Sequence, residues 1–245
     1  MATRNGEATT RDGQNVSQVH DRLRAEILAG NIPAGETSQV ALARQLEVGR
    51  TPLREALRML QREGLVISEP NRRVRIADLS PGDAEELYIM RTGLEAVAIQ
   101  ITVSNLDSEG VAELEGLMAQ MDHYMRNRDA AGMRAPHRAF HSRLVVGAGE
   151  RVATTIAQLF DHAERYRLAF GATTPEIWDQ RRAEHRAILD AAGAGDAKLA
   201  ARRLLEHYGR TVTLIFQGLD ADYEPARLRI AFEALAPGTG ASLDA

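Results

Sequence analysis

Residues 39–64 read QVALARQLEVGRTPLREALRMLQREG, and their spacing decides the fold of the first third of the chain. Val40, Leu42 and Leu46 fit a short helix for which Ser38 supplies a capping side chain. A second short helix begins around Pro52, where a missing N–H removes nothing from the first turn. It carries Leu53, Leu57 and Leu60 and ends at Gly64. Ala56 joins those leucines on one apolar face, while Arg50, Thr51 and Arg54 cluster at the leading end. Such a helix fits the major groove of a duplex: Arg50 can pair bidentately with a guanine edge, and Thr51 and Arg54 can hold phosphates. On charge alone the same arginines read more readily as a solvated helix face.

Upstream, Val16, Val19, Leu23 and Ile27 recur at helical spacing until Gly30 stops them, and a turn follows over residues 31–35. Downstream, Leu65-Val-Ile67 and Val74-Arg-Ile76 are β-prone runs on either side of a polar loop. Three helices followed by a short hairpin make a winged helix-turn-helix over residues 16–78. Arg72, Arg73 and Arg75 then lie on or beside the wing, suited to a DNA backbone or a narrow minor groove. Residues 1–15 lack periodicity and read as a disordered tail.

Ser80-Pro81 is a fresh helix start after a linker at 79–83, and residues 84–219 read as an all-α bundle. Leu87, Met90, Leu94, Val97 and Ile101 form one apolar stripe; Val111, Leu114, Leu117, Met118 and Met121 form another. Further helices are expected at about 130–146, 150–169, 175–192 and 197–218, with a kink or restart at Pro136. Thr174-Pro175-Glu176 marks the start of one and Asp196 caps the last. Residues 220–245 are a C-terminal extension, loose from about 236. The fold class is thus mainly α.

At 245 residues the chain has room for two domains, and 44% hydrophobic with 26% charged residues fits a globular protein. No apolar run approaches a membrane span, Met1 to Asn15 lacks a secretory apolar stretch, and cysteine is absent. A cytoplasmic location fits these features. The net charge of −4 is unevenly divided: residues 16–78 carry ten arginines against eight acidic residues, a net of +2, and residues 79–245 carry a net of −6.

Four of the seven histidines form a constellation. His137 and His141 share one helix face, and His185 and His207 lie on two later helices. Three helices converging in a bundle can bring four imidazoles to one metal ion, although scattered histidines are more often surface or satisfied core residues.

The complete N-terminal pattern resembles the GntR family of regulators. Leu42-Ala43, Leu46, Val48, the unbroken Arg50-Thr-Pro-Leu-Arg-Glu-Ala-Leu57, Leu60 and Glu63-Gly-Leu-Val66 all match its signature. Three positions depart from it: Gly49 replaces a hydroxyl residue, Glu47 a turn glycine and Arg73 a wing glycine. Residues 84–215 resemble the FCD effector domain of the FadR-type subfamily through Glu86-Leu-Tyr-Ile-Met-Arg-Thr-Gly-Leu-Glu95, Phe140-His141, Glu184-His-Arg-Ala-Ile-Leu189, Gly195-Asp196 and His207.

The resemblance implies a homodimer that binds a palindromic operator in double-stranded DNA. It also implies a divalent transition metal held at His141, His185 and His207, with His137 where the family has an acid or amide, and a small carboxylate effector beside it. An imidazole in place of that acid favours zinc or nickel. Arg91 is the expected effector-binding residue, with a salt bridge to Glu95 as its structural alternative. No acid/base carboxylate stands at motif spacing near these histidines, and the His20-Asp21 dipeptide lies far from them in sequence, so no catalytic residue is assigned. Two other readings stay open: a metal-free regulator taking an apolar or acyl ligand, and a metal-dependent hydrolase.

Overall fold

The structure is a computed structural model and describes residues 15–68, 73–170 and 175–237. The chain divides between Leu79 and Ser80 into two compact units. The first holds α1 (Val16–Leu28), β1 (Gly35–Ser38), α2 (Gln39–Gln45), α3 (Arg50–Arg62), β2 (Val66–Ser68) and β3 (Arg73–Ile76). Val19, Leu23 and Ile27 of α1 meet Leu42 of α2 and Leu53, Ala56, Leu57 and Leu60 of α3 in one core, closed by Val74 and Ile76 of the sheet. Burying each such leucine stabilises the unit by about 2 kcal/mol.

The strands pair antiparallel in the order β1-β3-β2. Gly35 faces Ile76 and Ser38 faces Arg73, so β1 makes the wing a three-stranded sheet where the sequence suggested a two-stranded hairpin. β1 escapes a pattern reading because Gly35-Glu-Thr-Ser38 has no apolar alternation; β3 recruits its backbone from far along the chain.

The helix ends follow one rule. Gly30, Glu47 and Gly64 each follow a helix with positive φ, at 76°, 54° and 77°. After α2 the Glu47 N–H donates to the Arg44 carbonyl at 3.3 Å and the Val48 N–H to the Ala43 carbonyl at 3.0 Å. This is the left-handed exit that usually takes glycine. Glu47 therefore keeps the family's backbone geometry, at a cost of roughly 1 kcal/mol.

The second unit holds α4 (Pro81–Val103), α5 (Ser108–Arg126), α6 (Ala130–Arg143), a single 3₁₀ turn (Val146–Ala148), α7 (Glu150–Phe170), α8 (Pro175–Gly193), α9 (Ala197–Leu219) and α10 (Ala226–Leu235). α4 packs on α7, α9 and α10, and α5 packs on α6 and α8. Residues 81–83, expected within a linker, form the first turn of α4, whose Ser80 side chain accepts the Asp83 N–H at 3.2 Å. Pro136 neither breaks nor restarts α6, which runs continuously past it. α10 adds a helix inside the expected extension, its start bound to the buried Glu85 carboxylate. Thr174, Arg72, the tail before residue 15 and the end beyond residue 237 lie outside the described residues.

Except for Leu87, which is buried, the apolar stripe of α4 is turned outward. Met90, Leu94, Val97 and Ile101 are 37–55% exposed, whereas Tyr88, Arg91, Thr92, Glu95, Ala98 and Ile99 are buried. Arg91 thus belongs to the inward face and does not interrupt the stripe. Among the described residues no helix is long and apolar enough to cross a membrane.

Candidate functional site

Two places carry the chemistry, one in each unit. In the first, α3 buries Leu53, Ala56, Leu57 and Leu60 and turns Arg50, Thr51, Arg54 and Arg58 to solvent. Gly49 caps the helix with no side-chain hydrogen bond. Arg54 lies 3.5 Å from Glu55 with more than half of its side chain exposed. On β3, Arg73 and Arg75 point away from the core face formed by Val74 and Ile76. Arg73 approaches Glu36 at 3.7 Å and Arg75 pairs with Asp78 at 2.5 Å. His20 Nδ1 pairs with Asp21 at 2.8 Å and its Nε2 meets Glu63 at 2.6 Å; Arg24 donates to the same Glu63 carboxylate at 2.8 Å, tying α1 to the end of α3.

In the second unit, α6 carries His137 and His141, α8 carries His185 and α9 carries His207. All four are at most 5% exposed, and one ring nitrogen from each lies within 4.8 Å of the others. Burial first, then the neighbouring imidazoles and arginines, pushes His137, His141 and His185 well below the ordinary histidine value. Burial also lowers His207, against the pull of Glu184. Neutral imidazole is the form that donates to a metal.

Partners behind the rings aim them. The His207 Nδ1–H donates to Glu184 at 2.7 Å, a His185 ring N–H donates to the Arg181 backbone carbonyl, and His141 Nδ1 lies 3.5 Å from the Tyr208 hydroxyl. That leaves His141 Nε2 and His185 Nε2 facing each other at 3.2 Å. Two nitrogens bound tetrahedrally to one zinc would sit roughly 3.3 Å apart. The buried His137 Nδ1 has no hydrogen-bond partner, so the cluster retains an orphaned donor atom. An all-imidazole set of this kind fits zinc or nickel.

Residues 15–76 match the family described as "Bacterial regulatory proteins, gntR family", and residues 86–210 match the FCD domain. The chain belongs to the GntR family. This GntR regulator is 31% identical to a probable D-xylose utilization operon transcriptional repressor of Paenarthrobacter nicotinovorans, over 78% of its own length and 84% of that protein's. It is 26% identical to the transcriptional repressor GlaR of Escherichia coli K12, over 80% and 94% of the two chains. Its fold superposes on E. coli McbR/YncC with a TM-score of 0.73 at 21% identity, covering 82% of this chain and 97% of that one. Family and relatives are DNA-binding regulators and not enzymes, which removes the hydrolase reading.

In this GntR regulator the four histidines form one side of a partly open cavity. Arg91 reaches the same cavity, and it also makes the salt bridge that was its alternative: Nε donates to Glu95 at 2.9 Å and Nη2 to the Tyr208 oxygen at 2.8 Å. Tyr208 in turn donates to Glu95. The described lining does not include His162, Arg165 or Tyr166; the Tyr166 hydroxyl instead joins Asp83 and Ser80 at the start of α4. Sequence reading missed Tyr208, Glu184 and Arg181. Tyr208 and Glu184 adjoin histidines already singled out, so chain position flagged them weakly. Arg181 looks like half of an ordinary Arg-Arg surface pair, and only the packing shows it to be buried.

Proposed function

We propose that this regulator is a homodimeric, ligand-responsive repressor whose FCD unit holds a divalent transition metal, zinc or nickel, at His137, His141, His185 and His207 and takes a small organic acid beside it. The observation that carries the reading is the convergence of four buried, neutral imidazoles on one wall of a cavity. A bound metal would supply a Lewis-acidic centre for a carboxylate. Arg91 holds Glu95 and Tyr208 in place next to His141. Repression is taken from the two relatives named as repressors.

α3 is the reading helix, with Arg50 on base edges and Thr51 and Arg54 on phosphates; Arg72, Arg73 and Arg75 serve the backbone beside the wing. The exposed stripe Met90, Leu94, Val97 and Ile101, spaced like a packing seam, accommodates a second copy, and two-fold symmetry matches a palindromic operator. Such a protein works beside the chromosome, in the cytoplasm.

The test has two arms. Duplexes selected from a random pool are titrated with salt: Arg50→Ala should weaken binding by about 1–3 kcal/mol and relax sequence preference, and Arg54→Ala should weaken it and flatten the log–log salt slope by about 1. Elemental analysis should find one zinc or nickel per chain, lost in His185→Ala. If neither variant weakens binding the reading helix is refuted, and a protein that takes up no metal from either salt refutes the metal centre.

A further inference from the structure

Four arginines line the cavity, and three already have carboxylate partners. Arg91 Nε donates to Glu95 at 2.9 Å, Arg167 Nε to Glu164 at 2.7 Å and Arg182 Nε to Asp122 at 2.8 Å. Arg181 differs: it is 7% exposed, and both terminal nitrogens of its guanidinium are buried without a hydrogen-bond partner. Burial and then the nearby Arg167 lower its pKa to about 10, so it remains a cation at neutral pH. A desolvated guanidinium with unused donors is unfavourable until an anion completes it. Arg181 sits one turn before His185 on α8, and its backbone carbonyl holds that imidazole in place. Cation and candidate metal ligand are therefore built on the same turn.

The rest of the wall is of another kind. Met118, Met121 and Met125 of α5, Met133 of α6 and Trp178 of α8 line it. Thioether chains adapt to irregular apolar shapes and pack well on aromatic rings. Asn, Gln and Ser are missing from the described lining, where the neutral hydroxyls are those of Thr211, Tyr88 and Tyr208, and Tyr208 is already bound to Arg91 and Glu95.

We propose that Arg181 seats the carboxylate of the effector and that the methionine–tryptophan wall takes its apolar body, so that the effector is an amphipathic alkyl or aryl monocarboxylate and not a polyhydroxylated acid. The inference rests on reading the FCD cavity as the effector site, and it moves the anion-binding role from Arg91 to Arg181.

Trp178 is the only tryptophan of the chain, so its emission reports occupancy. The full-length protein is titrated with hexanoate, benzoate, benzyl alcohol, lactate and gluconate, with and without zinc, as wild type, Arg181→Met and Arg203→Met. Hexanoate or benzoate should bind roughly tenfold or more tighter than benzyl alcohol, lactate and gluconate. Arg181→Met should lose roughly tenfold or more of that affinity, while Arg203→Met, which lies outside the lining and is 42% exposed, stays near wild type. Should Arg181→Met fail to fold, Arg181→Lys replaces it and should bind with intermediate affinity, charge kept but fork lost.

Equal affinity in the Arg181 variants, preference for lactate or gluconate, equal binding of benzyl alcohol, or no carboxylate binding at millimolar concentration each overturns the proposal. Failure of the metal reading is a separate result: zinc is not retained, yet the carboxylate titration still responds.

Discussion

Replacing Glu184 with glutamine tests how the proposed metal centre is held. Only 6% of the Glu184 side chain is exposed; it accepts the His207 Nδ1–H at 2.7 Å and the Arg210 Nε–H at 2.5 Å. Burial pushes its carboxyl up, but the bonds from His207 and Arg210 outweigh that and hold it below the ordinary value, hence ionised at neutral pH. The charge fixes the His207 tautomer and makes the opposite ring nitrogen a stronger donor. A charge-assisted bond of this kind contributes about 1.5–3 kcal/mol, and glutamine retains an acceptor oxygen while losing the charge. Loss of such an outer partner typically lowers metal affinity 10- to 100-fold, or about 1.4–2.7 kcal/mol. Zinc affinity is read by competition with a fluorescent chelator, with thermal melting of the metal-free proteins as the control for folding. Arg210→Ala should change the affinity far less, because that side chain is 45% exposed. A Glu184→Gln protein that folds normally and binds zinc within about threefold of wild type refutes the argument that Glu184 tunes His207.

Glu85→Gln should loosen α10. The 2% exposed carboxylate of Glu85 accepts the Arg227 and Leu228 N–H groups at 2.9 and 3.1 Å and so caps a helix whose own N-cap, Pro225, provides no side-chain bond. Burial raises its pKa, but those bonds with Tyr223 and Arg227 outweigh it and set it below 4.5. A carboxyl lowered in the folded state contributes stability that is complete above its unfolded value and lost as pH falls through the folded one. The variant should therefore be about 1–2 kcal/mol less stable at pH 7, show a shallower acid slope below pH 4.5, and exchange amide hydrogens faster at Leu228 and Phe232. Val97→Glu, placing a charge in the outward stripe of α4, should shift sedimentation from dimer to monomer without lowering the monomer's helical content. Leu60→Ala removes a fully buried side chain and should cost about 2–5 kcal/mol, seen as one unfolding transition moving to lower temperature while the FCD transition stays.

The N-terminal unit was legible because its signals are local. Ser38 caps, Pro52 opens and Gly30 and Gly64 close within one or two turns of the residues they govern. β1 was invisible because its pairing is made by backbone groups of β3, some forty residues along the chain. The histidines were found by helical spacing, and the packing of α6, α8 and α9 brought them together. The same spacing misled at α4, where the apolar stripe faces outward and the interior is studded with Arg91, Thr92 and Glu95. Periodicity reports a face, not what that face meets. Pro136 failed to interrupt α6 because a helix held by packing on both sides tolerates one lost backbone bond.

α4 is a single rod of about 34 Å with two opposed duties. Its inner side presents Tyr88 and Arg91 to the cavity; its outer side presents Val97 and Ile101 to whatever lies beyond. A stiff cylinder cannot roll on one flank alone. A ligand that twists the helix from its cavity side must carry the outer row through the same angle. Sensing and assembly then become readings of one rotation.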